Sequence, residues 1–205
     1  MLHHQLYRAL PAELVDVQTV GDFHLLHGLV VTGGPAIMDG LVGTLPHDIS
    51  ETDQLRVQSD QLILDEFMLM RRPVLGICYG MQLINSVFGG RIYADVEKQV
   101  EGSLIHSKSR GATTHPVVIE PNSRLYQIMN ASSLETNSRH IQALAKVGDG
   151  LSVCARSEDG VIEGIESDDS LLLGVQFHPE QMGQFGLPLF EDLIERARQA
   201  AFGPV

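Results

Sequence analysis

Apolar positions fall into short continuous runs ended by glycine, alternating with longer runs at helical spacing. "GLVVTGG", Gly28 to Gly34, and "PVLGI", Pro73 to Ile77, are β-branched or aliphatic runs that predict strands buried on both faces. Between them, "VQSDQLILDEFMLM" places Val57, Leu62, Phe67, Leu69 and Met70 on an expected helix stripe. Strand, helix, strand predicts parallel pairing through a right-handed crossover, and so an α/β sheet flanked by helices. Later, "GLSVCAR", "GVIEGIE" and "LLLGVQF" predict three short strands joined by "SEDG" and "SDDS". Asp159-Gly160 is a hairpin signal, so an antiparallel section should extend the parallel one. The last periodic run, "LPLFEDLIERARQAA", aligns Leu189, Phe190, Leu193, Ile194 and Ala197 along one helix face.

A run of 205 residues with no repeat or polar linker predicts one domain, residues 1–205. Fourteen basic against 26 acidic residues leave a formal charge of −12, which argues against nucleic acid and against anionic membrane as partners. No window approaches 18 consecutive apolar residues, and "MLHHQLYRALPAELVDV" lacks the basic flank and apolar core of a signal peptide. The expected location is the cytoplasm, where Cys78 and Cys154 would be free thiols. Cys154 alternates with Ser152 and Arg156 along its strand and reads as a small packing residue.

Cys78 lies in Gly76-Ile77-Cys78-Tyr79-Gly80, where a strand ends and a helix begins. This G-x-C-x-G turn has the form of a nucleophile elbow carrying sulfur, with the glycines making room for a strained backbone. The helix N-terminus favours an anionic sulfur, and the N–H of Tyr79 points where an oxyanion would form. The pentapeptide by itself fits equally well a buried cysteine in an ordinary turn. A base is available in "GVQFHPE": His178 follows a strand, and Glu180 can fold back to orient its imidazole. Cys78, His178 and Glu180 are thus a candidate triad, although a lone histidine among nine also reads as a strand cap. Neither "HH" at 3–4 nor "HLLH" at 24–27 brings ligands at metal spacing, no phosphate-loop motif follows the paired glycines, and the expected cofactor and metal are none.

"VVTGGP", "GICYGMQLIN" and "GVQFHPE", in this order, resemble the class I glutamine amidotransferases. "GGRIYADV", "ETNSRHIQAL" and "DGVIEGIE" lean toward the γ-glutamyl hydrolase branch of the peptidase C26 type. The resemblance implies a flavodoxin-like fold with a mostly parallel central sheet and an antiparallel extension. It also implies a Cys-His-Glu triad that forms a γ-glutamyl thioester, and an oxyanion hole at Tyr79 and Gly34. Gln82 and the loop Asn137-Ser138-Arg139 should contact the glutamyl part. From the residues alone, Gln82 also reads as a solvated helix position and Arg139 as a surface charge. The chain departs from the family pattern in three places. It is expected to start too late for the usual first strand, "GGPAIMDG" follows the paired glycines, and Arg139-His140 stands where the branch tends to have two histidines. Three functions follow: a hydrolase of γ-glutamyl amides or glutamine, a glutaminase subunit feeding ammonia to a separate synthetase, or an inactive binding homologue. A synthetase or further copies of the chain are the protein partners this implies.

Overall fold

The computed structural model describes Phe23 and residues 25–203. The expected loss of a first strand concerns residues that lie outside the described ones. In chain order the elements are β1 (Leu29–Val31), β2 (Leu41–Val42), α1 (Gln54–Leu69), β3 (Val74–Ile77), α2 (Tyr79–Val87), β4 (Arg91–Tyr93), α3 (Val96–Gln99), β5 (Thr114–Ile119), α4 (Arg124–Met129), β6 (Ser133–Asn137), β7 (Ala143–Lys146), β8 (Leu151–Ser157), β9 (Ile162–Ser167), β10 (Leu172–Val175) and α5 (Leu187–Phe202).

The fold is α/β. A seven-stranded sheet runs β1-β3-β10-β9-β8-β5-β6, and β2-β4-β7 form a separate small sheet. β3 pairs in parallel with β1 on one side and β10 on the other, as the strand-helix-strand reading requires. From β10 onward the pairings β10–β9, β9–β8, β8–β5 and β5–β6 are all antiparallel. The β8–β9 turn is the anticipated Asp-Gly hairpin: Gly160 takes φ +84°, and the Asp159 carboxylate accepts from Val161 N at 3.3 Å.

Side chains of the central strands alternate between two apolar cores. Val74 and Leu172 point toward α1 and α2, whereas Leu75, Ile77, Leu173 and Val175 point toward α4 and α5. On α5, Leu189, Phe190 and Leu193 are buried, as the periodicity predicts.

The α1 stripe differs from expectation. Leu62 and Leu69 are exposed, while Leu64 and Phe67 are fully buried, with Val57, Ile63 and Met68 packed beside them. The spacing 57, 64, 67 is helical, whereas 57, 62, 67 steps by five and walks around the helix. Asp53 caps this helix by accepting from Leu55 N at 2.8 Å, so it starts three residues before Val57. On β8 the expected alternation breaks at a bulge, where the register with β9 shifts on both sides of Ala155. Cys154 and Ala155 are consequently buried together.

Candidate active site

The three parallel strands end on the same edge of the sheet, and each delivers one part of the site. β1 runs into Gly33 and Gly34, β3 into Cys78, and β10, three residues on, into His178. Cys78 sits at φ 50°, ψ −102°, a left-handed conformation that costs a non-glycine residue about 1–3 kcal/mol. It is held there on both sides: its N–H donates to Val175 O at 2.8 Å, and its carbonyl accepts from Gln82 N at 3.1 Å. The flanking glycines are required by backbone. A Cβ on Gly80 would stand 2.1 Å from Val31 O, and one on Gly76 would stand 2.7 Å from the Gly80 carbonyl. The collision is thus with β1 and with the elbow's own main chain, not with the sulfur.

His178 and Glu180 are joined at 2.6 Å through Nδ1 and Oε1. Burial works against the imidazolium, but contacts with the Cys78 sulfur and the Glu180 carboxylate outweigh it and raise the His178 pKa to about 10. Burial likewise opposes the Glu180 carboxylate, and the hydrogen bond from His178 lowers its pKa nonetheless. The ring lies against Gly33, where a Cβ would come within 2.6 Å of His178 Cε1. Gln176 Nε2 donates to Cys78 Sγ at 3.4 Å.

A cavity of about 280 Å³ opens beside the sulfur. It is lined by Gly34 and Pro35, by Cys78 and Gln82, by Ser107-Lys108-Ser109 and by Arg139 to Gln142. Lys108 and Arg139 bring positive charge to this lining, and no carboxylate joins them among the described residues. The local charge therefore runs against the chain's overall −12.

The expected substrate contacts separate into two groups. Gln82 and the exposed Arg139 line the cavity; Gln82 is nearly fully buried and not a solvated helix position. Its amide donates to Gln142 O at 3.2 Å and to Gln176 Oε1 at 3.1 Å. Asn137 instead clasps the main chain of the histidine: Nδ2 donates to His178 O at 2.8 Å, and Oδ1 accepts from His178 N at 2.9 Å. Ser138 is fully buried with its hydroxyl on His115 Nδ1. Asn137 and Ser138 thus position the wall and the base rather than face the cavity.

Several neighbours escaped the sequence reading. Arg56 holds the glycine loop through Gly33 O at 3.1 Å and stacks 4.6 Å above the Tyr79 ring. The Gln142 side chain makes two hydrogen bonds of 2.9 Å to the backbone of Ile37, tying the loop after Gly34 to the far wall. His106, His115, His140 and Glu163 converge in the protein interior next to the cavity. Spacing gives no signal for residues brought together from remote segments. No described helix is long and apolar enough to cross a membrane.

The sequence profile of the Peptidase C26 family matches residues 9–180. The chain is 37% identical over 158 residues to protein NtpR of Enterococcus hirae, covering 74% of this chain and 66% of NtpR, slightly under two thirds of that relative. It is 27% identical over 155 residues to the glutamine-hydrolyzing GMP synthase of Dictyostelium discoideum, covering 76% of this chain and 18% of the synthase. A solved structure from Thermoplasma acidophilum, described as a "putative gmp synthase subunit a protein", superposes with a TM-score of 0.65 at 20% identity. That superposition covers 88% of this chain and 77% of the other, and establishes the shared fold.

Proposed function

Because the chain belongs to the Peptidase C26 family, among the class I glutamine amidotransferase-like proteins, we propose that it hydrolyses γ-glutamyl amides through a thioester on Cys78. The observation that carries this reading is the strained Cys78 elbow facing a histidine that is itself bonded to a carboxylate at 2.6 Å. Cys78 Sγ attacks the amide carbonyl, and the tetrahedral oxyanion is received by the N–H groups of Tyr79 and Gly34. As the C–N bond breaks, His178 gives its proton to the leaving amine. Water then attacks the thioester, His178 takes up its proton, and glutamate leaves with Cys78 restored. Glu180 keeps the imidazole oriented throughout. Lys108 and Arg139 suit the α-carboxylate of the glutamyl group, Arg139 by virtue of its bidentate geometry.

A second reading is favoured by the similarity to a glutamine-hydrolyzing GMP synthase: a glutaminase subunit that supplies ammonia to a synthetase on another chain. One experiment separates the two. The purified chain, with Cys78→Ala as the blank, is incubated with glutamine and a panel of γ-glutamyl amides, and released glutamate is measured. The hydrolase reading expects faster cleavage of at least one γ-glutamyl amine than of glutamine. Activity on glutamine alone, rising only when a synthetase is supplied, supports the subunit. No glutamate from any member of the panel removes both readings in favour of a binding homologue.

A further inference from the structure

Beside the cavity, but used by no step of the reaction above, three histidines and a glutamate meet in the protein interior. Their side chains are almost wholly out of solvent: His106 and Glu163 are 0% exposed, His115 is 3% and His140 is 1%. They arrive from four segments, namely the stretch after α3, strand β5, the link after β6, and strand β9.

Each imidazole has an outer nitrogen with a partner and an inner nitrogen turned to Glu163. His106 Nε2 lies 2.8 Å from the Asp159 carboxylate, His140 Nδ1 lies 3.0 Å from Gln142 O, and His115 Nδ1 meets the Ser138 hydroxyl at 2.5 Å. Since a carboxylate and a carbonyl only accept, His106 and His140 carry their hydrogens on the outer nitrogens. In its neutral form each ring then aims a lone pair inward at another acceptor. The three inner nitrogens lie 3.6 Å (His106), 3.3 Å (His115) and 3.2 Å (His140) from the same atom, Glu163 Oε1.

None of these contacts completes a hydrogen bond. Among the described residues, His106 Nδ1, His140 Nε2 and both oxygens of Glu163 are buried with no hydrogen-bond partner, and His115 Nε2 has the Thr136 hydroxyl alone at 3.4 Å. Fully buried acceptors facing one another are expensive unless something positive stands between them. Ligand atoms ~2.0–2.1 Å from a tetrahedral zinc ion are about 3.3 Å from each other; the three histidine-to-Glu163 separations match this, and all four ligand atoms lie within 4.8 Å of one another. The outer partners are also of the kind that fix the rings of metal-bound histidines: a carboxylate, a carbonyl and a hydroxyl.

We propose that His106, His115, His140 and Glu163 bind one divalent transition-metal ion of zinc-like preference, as a closed four-ligand structural site. Three imidazoles and one carboxylate suit zinc chemistry, and four protein ligands leave no open position for substrate. The ion's place explains its use. His106 directly precedes Ser107 and Lys108 on one wall of the cavity, and His140 directly follows Arg139 on the other. Metal binding would hold the two cationic side chains at a fixed separation, independently of which amide is cleaved.

The test uses the untagged full chain, purified from zinc-supplemented medium. We expect about one zinc per chain by mass spectrometry, removable by a strong chelator with a fall in melting temperature of several degrees that zinc restores. Replacement by Co²⁺ should give the intense visible bands of a four-coordinate site, and zinc-edge absorption should fit three imidazoles and one oxygen. Asp159→Asn should keep the stoichiometry at saturation while binding 10–100-fold more weakly, the usual cost of losing an outer partner. Glu163→Gln and His140→Asn should lose the metal. A wild-type chain that carries no zinc, shows no cobalt bands and does not gain stability from added Zn²⁺ would overturn the proposal. So would folded ligand variants that retain wild-type zinc, which would place the ion elsewhere, for instance at His3-His4. If the variants do not fold, the wild-type spectra decide the matter by themselves.

Discussion

The chain's two cysteines are both buried, both free and both in the apolar core beneath α4 and α5, yet their surroundings differ. Cys154 lies within a bulged strand, fully enclosed, against Gly164, where an added Cβ would meet the sulfur at 2.9 Å. Burial, with the nearby Glu166 carboxylate, pushes its thiol well above the ordinary range, so it stays protonated and inert. Cys78 lies at a strand end in a left-handed conformation, opens on the cavity and faces a cationic imidazole. The contrast is one of backbone position and neighbours, not of the thiol or its depth.

The strongest way to break this comparison is Cys78→Ala, which should lower glutamate release by about 10⁴-fold or more, with the fold intact by circular dichroism. Comparable loss in Cys154→Ala would reverse the assignment. His178→Asn should approach that loss, whereas Glu180→Gln should cost roughly 10–100-fold less, because it orients the ring without carrying the proton. Equal effects from the two would make the carboxylate more than an orienting group.

The pH dependence sharpens the same contrast. His178 is raised to about 10, so its pairing contributes stability in full below the usual histidine value near 6.5 and loses it as pH rises through about 10. Glu180 is lowered, so its share is present above the usual carboxylate range and lost on acidification. Accordingly kcat/KM should fall on an alkaline limb centred near 10, where the imidazolium loses the proton destined for the amine. In His178→Asn that limb should vanish from the residual rate. The smallest effect belongs to Cys154→Ala: kcat/KM within about 2-fold of wild type and a stability loss of about 1 kcal/mol by denaturant melting.

The elbow turn and the His178–Glu180 pair were legible because each is local. Gly76 to Gly80 and "GVQFHPE" contain their own geometric reasons, and the strand-helix-strand pattern around the first predicts the sheet that carries them. The cavity lining was legible at Gly34, Cys78, Gln82 and Arg139, but the long-range ties that hold the site together were not. Asn137 reaches across 41 positions to His178, and Gln142 reaches across 105 to Ile37; pairings at such distances leave no periodic trace. The small sheet β2-β4-β7 was also missed, since strands of two to four residues are too short to show alternation. The α1 face was misread because an apolar residue every five positions is not a helical stripe, and the bulge at Ala155 erased a strict alternation on β8.

The order β1-β3-β10 has one further consequence. Neighbouring strands are held about 4.8 Å apart by their hydrogen bonds, so the proposed oxyanion loop, sulfur and imidazole stand on a ruler whose divisions the chain cannot alter locally. The walls around the cavity come from other segments, residues 107–109 and 139–142. Much of the lining therefore comes from segments remote from the three strands, yet it is not independent of them: Gln142 O receives Gln82, which reaches Gln176, which in turn donates to the Cys78 sulfur. A change at that wall would be felt at the elbow, whereas the exposed Lys108 and Arg139 stand outside that chain of bonds.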